Sequence, residues 1–146
     1  MEYRLQSGKV IDLNVKPSDL MAAGYVLPTF IEDKSVFLTD YGSTFNDYEG
    51  EPVEIPNNMV CGCAIGAVMY ASGLKPTDVR SMADPGAIGW FNEFVGCDET
   101  PYQEFGLEDQ VGFLDGDYSL GQWASAHHSE GMTITDMLDE FRRVGL

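Results

Sequence analysis

Residues 59–72 contain no charged side chain, and this run constrains the fold more than any other part of the chain. A helix that is apolar on every side belongs inside a core, because it has no face to turn toward water. Asn57 or Asn58 can cap its start. Gly62 and Gly66 are four residues apart and would share one face, so another element should pack closely there. The run is therefore predicted to be the central helix of the protein.

The first third of the chain is predicted to form β-strands and turns. Residues 3–6 and 10–15 flank a Ser-Gly pair, and their alternating apolar and polar side chains favour a hairpin with one buried face. Residues 17–23 are predicted to form a short helix with proline in its first turn. Residues 25–31 and 35–39 are further strand candidates. Residues 40–58 are rich in glycine, proline, asparagine and acid, which predicts a long loop.

The remainder is predicted to be helical, with short helices over residues 77–83 and 85–95 and one or two turns over residues 107–114. Asp117 or Ser119 can cap a further helix that runs to about residue 127. The last helix has the clearest signals. Thr133 caps it and Asp136 follows three residues later, as in a capping box. Its apolar residues recur at spacings of three and four, at Ile134, Met137, Leu138, Phe141 and Val144.

These elements predict one α+β domain over residues 1–146. A small antiparallel β portion from the N-terminal third, residues 1–56, would pack on the mainly helical and acidic portion, residues 57–146. A length of 146 residues fits a single domain. With 44% hydrophobic and 12% aromatic residues, the chain has enough apolar surface to bury a core, unlike a disordered acidic tail.

The charge of the second half points to the kind of partner. The 61 residues 81–141 contain 13 acids and no lysine or arginine, and the formal charge of the whole chain is −16. Such a field repels nucleic acid and anionic lipid, so partners should be cationic. Solubility or adaptation to high salt explains the same charge without any partner. No apolar stretch is long enough for a membrane span, and no signal-peptide core is present, so we expect a cytoplasmic location.

The cysteines and histidines suggest a thiol enzyme as an alternative. Cys61 would lie near the start of the buried helix, where free N–H groups stabilise a thiolate, and His127 or His128 could serve as its base. Buried cysteines are common in cores, however, and no signature of a thiol enzyme surrounds Cys61. We therefore assign no catalytic residue, and keep a thiol-dependent hydrolase or transferase as the alternative.

No metal or cofactor site is predicted. Cys61 and Cys63 are too close in sequence for a typical zinc pair, and adjacent histidines seldom both reach one ion. A segment that starts at Asp115 begins like a calcium loop, but Leu120 stands where glycine is needed and Ala126 where the bidentate glutamate belongs. A turn that leads into a helix cap explains these residues.

One segment resembles a known family. Residues 63–67, Cys-Ala-Ile-Gly-Ala, followed by residues 70–73, Tyr-Ala-Ser-Gly, resemble the C-A-[LI]-G-A helix of small uncharacterised bacterial and phage proteins. In those proteins a tryptophan–asparagine stretch and a closing helix follow, and Trp90-Phe91-Asn92-Glu93 and residues 133–144 stand in similar order here. Phe91 interrupts the expected Trp-Asn-Asp run. The resemblance implies a small accessory protein of a phage or mobile element, and it transfers no catalytic residue.

Charge and resemblance together favour a non-enzymatic acidic inhibitor. It would act as a nucleic-acid mimic, placing carboxylates on a basic, nucleic-acid-binding surface of a host protein, as some anti-defence proteins do. The acids in the least regular part of the chain are the predicted binding residues: Asp98, Glu99, Glu104, Glu108, Asp109, Asp115 and Asp117. A salt-adapted housekeeping domain is the other alternative.

Overall fold

The structure is a computed structural model that describes residues 1–40, 44–46, 52–54, 59–82, 86–112, 114 and 116–146, with the backbone alone for the strands at 44–46 and 52–54. Strands are concentrated in the N-terminal part and helices in the C-terminal part, so the predicted α+β class is confirmed. One core cluster takes residues from both parts, from Leu5 and Leu13 near the N-terminus to Phe141 in the last helix.

The N-terminal ribbon is the predicted hairpin. Strands β1 (Glu2–Arg4) and β2 (Val10–Asp12) pair in antiparallel register. The Tyr3 ring packs against Phe105 at a centroid distance of 5.3 Å. Its hydroxyl lies 2.9 Å from the Phe105 carbonyl and 2.7 Å from the Val144 carbonyl, so it can donate to either oxygen. The ribbon is thereby fastened to the C-terminal half of the molecule.

Helix α1 (Pro17–Tyr25) follows with proline in its first turn, as predicted, and continues slightly further than expected. A three-stranded sheet comes next, built from β3 (Phe30–Glu32), β4 (Leu38–Asp40) and β7 (Val60–Gly62). β7 lies in the centre, parallel to β3 and antiparallel to β4. The two predicted strands in this region are present but shorter. Tyr25 still belongs to α1 and a turn follows it, so β3 begins at Phe30, and a turn at residues 34–35 delays β4 until Leu38.

The predicted long loop over residues 40–58 is wrong for the part of it that the structure describes. β5 (Thr44–Asn46) and β6 (Pro52–Glu54) form an antiparallel pair within it. The remaining positions of that stretch, including the predicted cap residues Asn57 and Asn58, lie outside the described residues.

The predicted central helix begins later than expected. Residues 60–62 form β7, Cys63 is the N-cap in an extended conformation, and α2 spans Ala64–Ala71. A short apolar run suits a buried strand as well as a buried helix, and β7 is held between two partner strands. The burial prediction is confirmed, since every residue from Cys61 to Met69 is buried. The expected close approach is also found, because a Cβ at Gly62 or Gly66 would clash with the Phe37 carbonyl.

Four helices complete the fold: α3 (Pro76–Arg80), α4 (Gly86–Val95), α5 (Leu120–Ser129) and α6 (Ile134–Arg143). Ser119 caps α5 and forms a capping box with Gln122, and Thr133 caps α6 by accepting a hydrogen bond from the Asp136 N–H. The turns predicted over residues 107–114 are not helical where they are described. A 3₁₀ turn lies just before them, at Tyr102–Phe105.

Candidate functional site

An acidic groove lies between the ends of α5 and α6. We call it the α5–α6 groove; it has a volume of about 440 Å³ and is lined by Gln110, Val111, His127, Glu130, Met132, Asp136, Asp139 and Glu140. Four of these eight residues are carboxylates. Glu130, Asp136 and Asp139 are exposed, and Glu140 is half-buried.

The helical period of α6 places its acids in this groove. The buried face of the helix is formed by Ile134, Met137, Leu138 and Phe141. Asp136, Asp139 and Glu140 fall between those positions and therefore point away from the core. Three carboxylates thus share one side of a ten-residue helix, where they repel one another.

Little positive charge balances the groove. Arg143 Nη2 lies 2.9 Å from Glu140 Oε2, so Glu140 has an arginine as its partner at the end of α6. The carboxylates of Glu130, Asp136 and Asp139 take part in no described ion pair. A concave surface of one sign concentrates the field in the groove and attracts cations.

His127 forms the inner wall of the groove as a neutral ring. It stacks on Trp123 at a centroid distance of 4.1 Å, and its Nδ1–H donates to the Trp123 carbonyl at 2.8 Å. Its Nε2 accepts from the Gln110 N–H at 3.0 Å, so neither nitrogen is available as a base. Burial lowers the pKa of His127, and the smaller opposing effects of the Trp123 carbonyl, Asp109 and Glu140 do not reverse this.

The loop beside the groove is organised by Asp109, one of the predicted binding residues. Its carboxylate accepts from the N–H groups of Val111 and Gly112 at 2.9 Å and of Leu114 at 3.0 Å. Desolvation raises the pKa of Asp109, but these three hydrogen bonds outweigh it and the net shift is downward. The Trp123 Nε1–H also donates to the Glu108 carbonyl at 2.9 Å. Asp109 therefore shapes the wall of the groove.

A second groove, the α4–α5 groove, lies between the N-terminal halves of those two helices. It has a volume of about 470 Å³ and is lined by Ile88, Gly89, Asn92, Glu99, Pro101, Asp117, Ser119 and Gln122. Its two carboxylates, Glu99 and Asp117, are exposed. Asp98 precedes Glu99 in a left-handed conformation with φ of 47°, which aspartate adopts more readily than most residues.

The seven predicted binding acids are thus divided among several places. Glu99 and Asp117 line the α4–α5 groove with Asp98 beside them, while Glu108 and Asp109 flank the wall of the α5–α6 groove. Glu104 accepts a hydrogen bond of 3.4 Å from the Ser7 N–H of the ribbon. Asp115 lies outside the described residues. The prediction did not select Glu130, Asp136, Asp139 and Glu140, although the spacing of α6 could have indicated three of them.

His128 has a structural role next to the central helix. Its Nδ1 accepts from the Ala64 N–H at 3.1 Å, and its Nε2–H donates to Glu32 Oε2 at 2.7 Å. The same oxygen of Glu32 accepts from the Ile134 N–H at 3.0 Å. Desolvation raises the pKa of Glu32, but the hydrogen bonds from His128 and Ile134 outweigh this effect, and the net shift of the pKa is downward. The pair therefore satisfies the first N–H groups of α2 and α6, which have no partner within their own helices.

The geometry proposed for Cys61 is wrong, because this residue lies in the central strand β7 and not at the start of a helix. Cys63 occupies that position instead, as the N-cap of α2. Burial raises the pKa of the Cys61 thiol. It also raises the pKa of Cys63 to about 11 and that of Cys97 to about 12. The thiols are therefore protonated at neutral pH. Neither their positions nor their raised pKa values support the thiol-enzyme alternative.

Within the described residues, no group of three or more histidines, cysteines or acids is arranged to hold a metal ion. The rings of His127 and His128 are also already hydrogen-bonded at each nitrogen. None of the described helices is both long and apolar enough to cross a membrane.

Neither protein-family models, curated proteins nor solved structures gave a match to this chain. The resemblance of residues 63–67 to the C-A-[LI]-G-A helix therefore stays a prediction.

Proposed function

We propose that the protein is a non-enzymatic binding protein that engages a basic surface of another protein. The α5–α6 groove is the observation that carries this proposal. Four carboxylates line one cavity of about 440 Å³, and only Glu140 has a described cationic partner. A lysine or arginine that enters the groove gains attraction from several carboxylates and relieves the repulsion among them.

The most specific form of the proposal is that the basic surface is one that normally binds nucleic acid. Such surfaces carry lysine and arginine at positions that meet phosphates. A chain with a net charge of −16 supplies the same sign of charge to the same side chains. The protein would then compete with nucleic acid as an inhibitor, and a role as a phage or mobile-element accessory protein is the widest extension of this proposal.

Two variants of equal charge test the proposal. The groove variant carries Glu130→Gln, Asp136→Asn and Asp139→Asn. The control carries Glu2→Gln, Asp12→Asn and Asp19→Asn, which removes three exposed acids near the ribbon and α1. A binding protein captured from bacterial lysate by the wild type is purified, and its affinity for all three proteins is measured at several salt concentrations.

We expect the groove variant to bind at least ten-fold more weakly and the control to stay within about two-fold, because only the first loses the concentrated field. Nucleic acid added in excess should displace the protein, and the wild-type affinity should fall with salt. Equal weakening by both variants would mean that only net charge matters, and it would contradict a defined acidic site.

A further inference from the structure

Polar groups on the floor of the α4–α5 groove are hydrogen-bonded to their neighbours. Asn92 Nδ2–H donates to Ser119 Oγ at 2.9 Å, and Asn92 Oδ1 accepts from the Gly121 N–H at 2.9 Å. Gln122 Oε1 accepts from the Ser119 N–H at 2.7 Å. Because Asn92 and the Gln122 side-chain oxygen already have protein partners, a polar ligand would gain little from hydrogen bonds to them.

The other surfaces of the groove have two different chemistries. Ile88 and Pro101 are apolar, and Gly89 has no side chain. Glu99 and Asp117 are exposed carboxylates, and neither forms an ion pair with any residue that the structure describes. A matching ligand is apolar along its length and positive at its end, and this is the chemistry of a lysine or arginine side chain.

We propose that the α4–α5 groove receives one long cationic side chain of the basic partner. The methylene stem packs against Ile88 and Pro101, and the ammonium or guanidinium group lies near Glu99 and Asp117. This inference rests on the proposed function and adds a second contact to it, on the other half of α5. It also gives a role to two of the predicted binding acids, Glu99 and Asp117.

Gly89 allows the groove to be filled without any change of charge. It is exposed within α4, and a Cβ built on it would meet no atom within 4 Å. A larger side chain therefore enters open space and causes no backbone clash. Glycine is also the weakest helix former apart from proline, so Gly89→Leu should preserve the fold. The variant blocks the space for the stem and leaves Glu99 and Asp117 in place.

The test is an NMR titration of the full chain with three blocked tripeptides, Ac-Gly-Xaa-Gly-NH2, in which Xaa is arginine, lysine or citrulline. Citrulline has the shape of arginine without its charge. We expect saturable shifts of the Gly89 and Gln122 amides with arginine or lysine, and at least five-fold weaker binding of citrulline. Gly89→Leu and the double variant Glu99→Gln/Asp117→Asn should each weaken the arginine peptide at least five-fold.

Two results would overturn this inference: unchanged arginine binding to Gly89→Leu, or equal affinity for arginine and citrulline. Neither touches the proposed function, which depends on the α5–α6 groove variant and the purified partner. Conversely, the peptide titration needs no protein partner, so it can succeed even if the groove variant binds that partner as well as the wild type does.

Discussion

At the scale of single residues, the adjacent histidines show how burial decides a role. His127 and His128 are 1% and 3% exposed. Each ring accepts one backbone N–H and directs its own N–H at an oxygen atom, the Trp123 carbonyl or the Glu32 carboxylate. The two candidate bases of the sequence therefore have structural roles. His127 connects α5 to the loop at Gln110, and His128 connects it to the first residue of α2 and, through Glu32, to that of α6. The chemistry of the side chains was evident from the sequence, but their partners were not.

His127 should make the protein less stable in mild acid. Its pKa is lowered in the folded state, so its stabilising effect is complete above about pH 6.5, the usual value in an unfolded chain. That contribution is lost as the pH falls through 6.5 toward the folded pKa, because the unfolded chain then binds the proton more readily. Urea unfolding at pH 7.5, 6.5, 5.5 and 5.0 measures this loss.

His127→Gln supplies the control for this pH dependence. The variant should be less stable at every pH, and its free energy of unfolding should decrease less between pH 6.5 and 5.0. The difference in slope between the two proteins can reach about 1.4 kcal/mol per pH unit for one proton. Identical slopes would show that His127 does not take up this proton on unfolding.

At the scale of elements, helices with strong local signals can be predicted from the sequence, whereas elements that depend on distant partners cannot. The cap and apolar stripe of α6 lie within twelve residues, and the helix is found where they place it. β7 owes its conformation to β3 and β4, which are some 20 to 30 positions away in the chain. Neither groove could be predicted from the sequence, because the walls of each come from separate elements that meet only in the folded molecule.

Gly66 and Gly89 form a matched pair for testing the packing of the central helix. A Cβ at Gly66 in α2 would clash with the Phe37 carbonyl, whereas one at Gly89 in α4 meets open space. We expect Gly66→Ala to cost about 1–3 kcal/mol of unfolding free energy, since a buried backbone must move. Gly89→Ala should add about 0.5–1 kcal/mol.

Denaturant unfolding of both alanine variants measures these effects. They share the same change in helix propensity, so the difference between them reports the clash at Gly66. A Gly66→Ala protein stabilised as much as Gly89→Ala would mean that the backbone at Phe37 moves away from α2 at no cost.

At the scale of the whole molecule, a chain of 146 residues has a large excess of carboxylates over cationic side chains. The chain has 24 acids against 8 lysines and arginines. Six acids of the second half line the two grooves, so the surface offers more than one site for contact with a cation. Mutual repulsion at this density lowers stability in dilute salt.

Thermal unfolding in increasing NaCl distinguishes a binding surface from adaptation to salt. For a binding protein we expect stability to rise from 0.01 to about 0.1 M and then to level off, as the Debye length shortens from about 30 to 10 Å. The Glu130→Gln/Asp136→Asn/Asp139→Asn variant should rise less, because it carries less like charge. A steep increase that continues into molar NaCl would instead favour the salt-adapted domain.

The fastening of the N-terminal ribbon by Tyr3 bears on how each molecule is made. The acceptors of its hydroxyl lie 102 and 141 positions further along the chain. During synthesis on the ribosome, Tyr3 therefore emerges long before either carbonyl exists. Contacts between such distant residues form slowly, and apolar surface that waits for them is open to aggregation. Strand β1 is thus among the last elements to be secured, and a nascent chain halted before α6 cannot close its core.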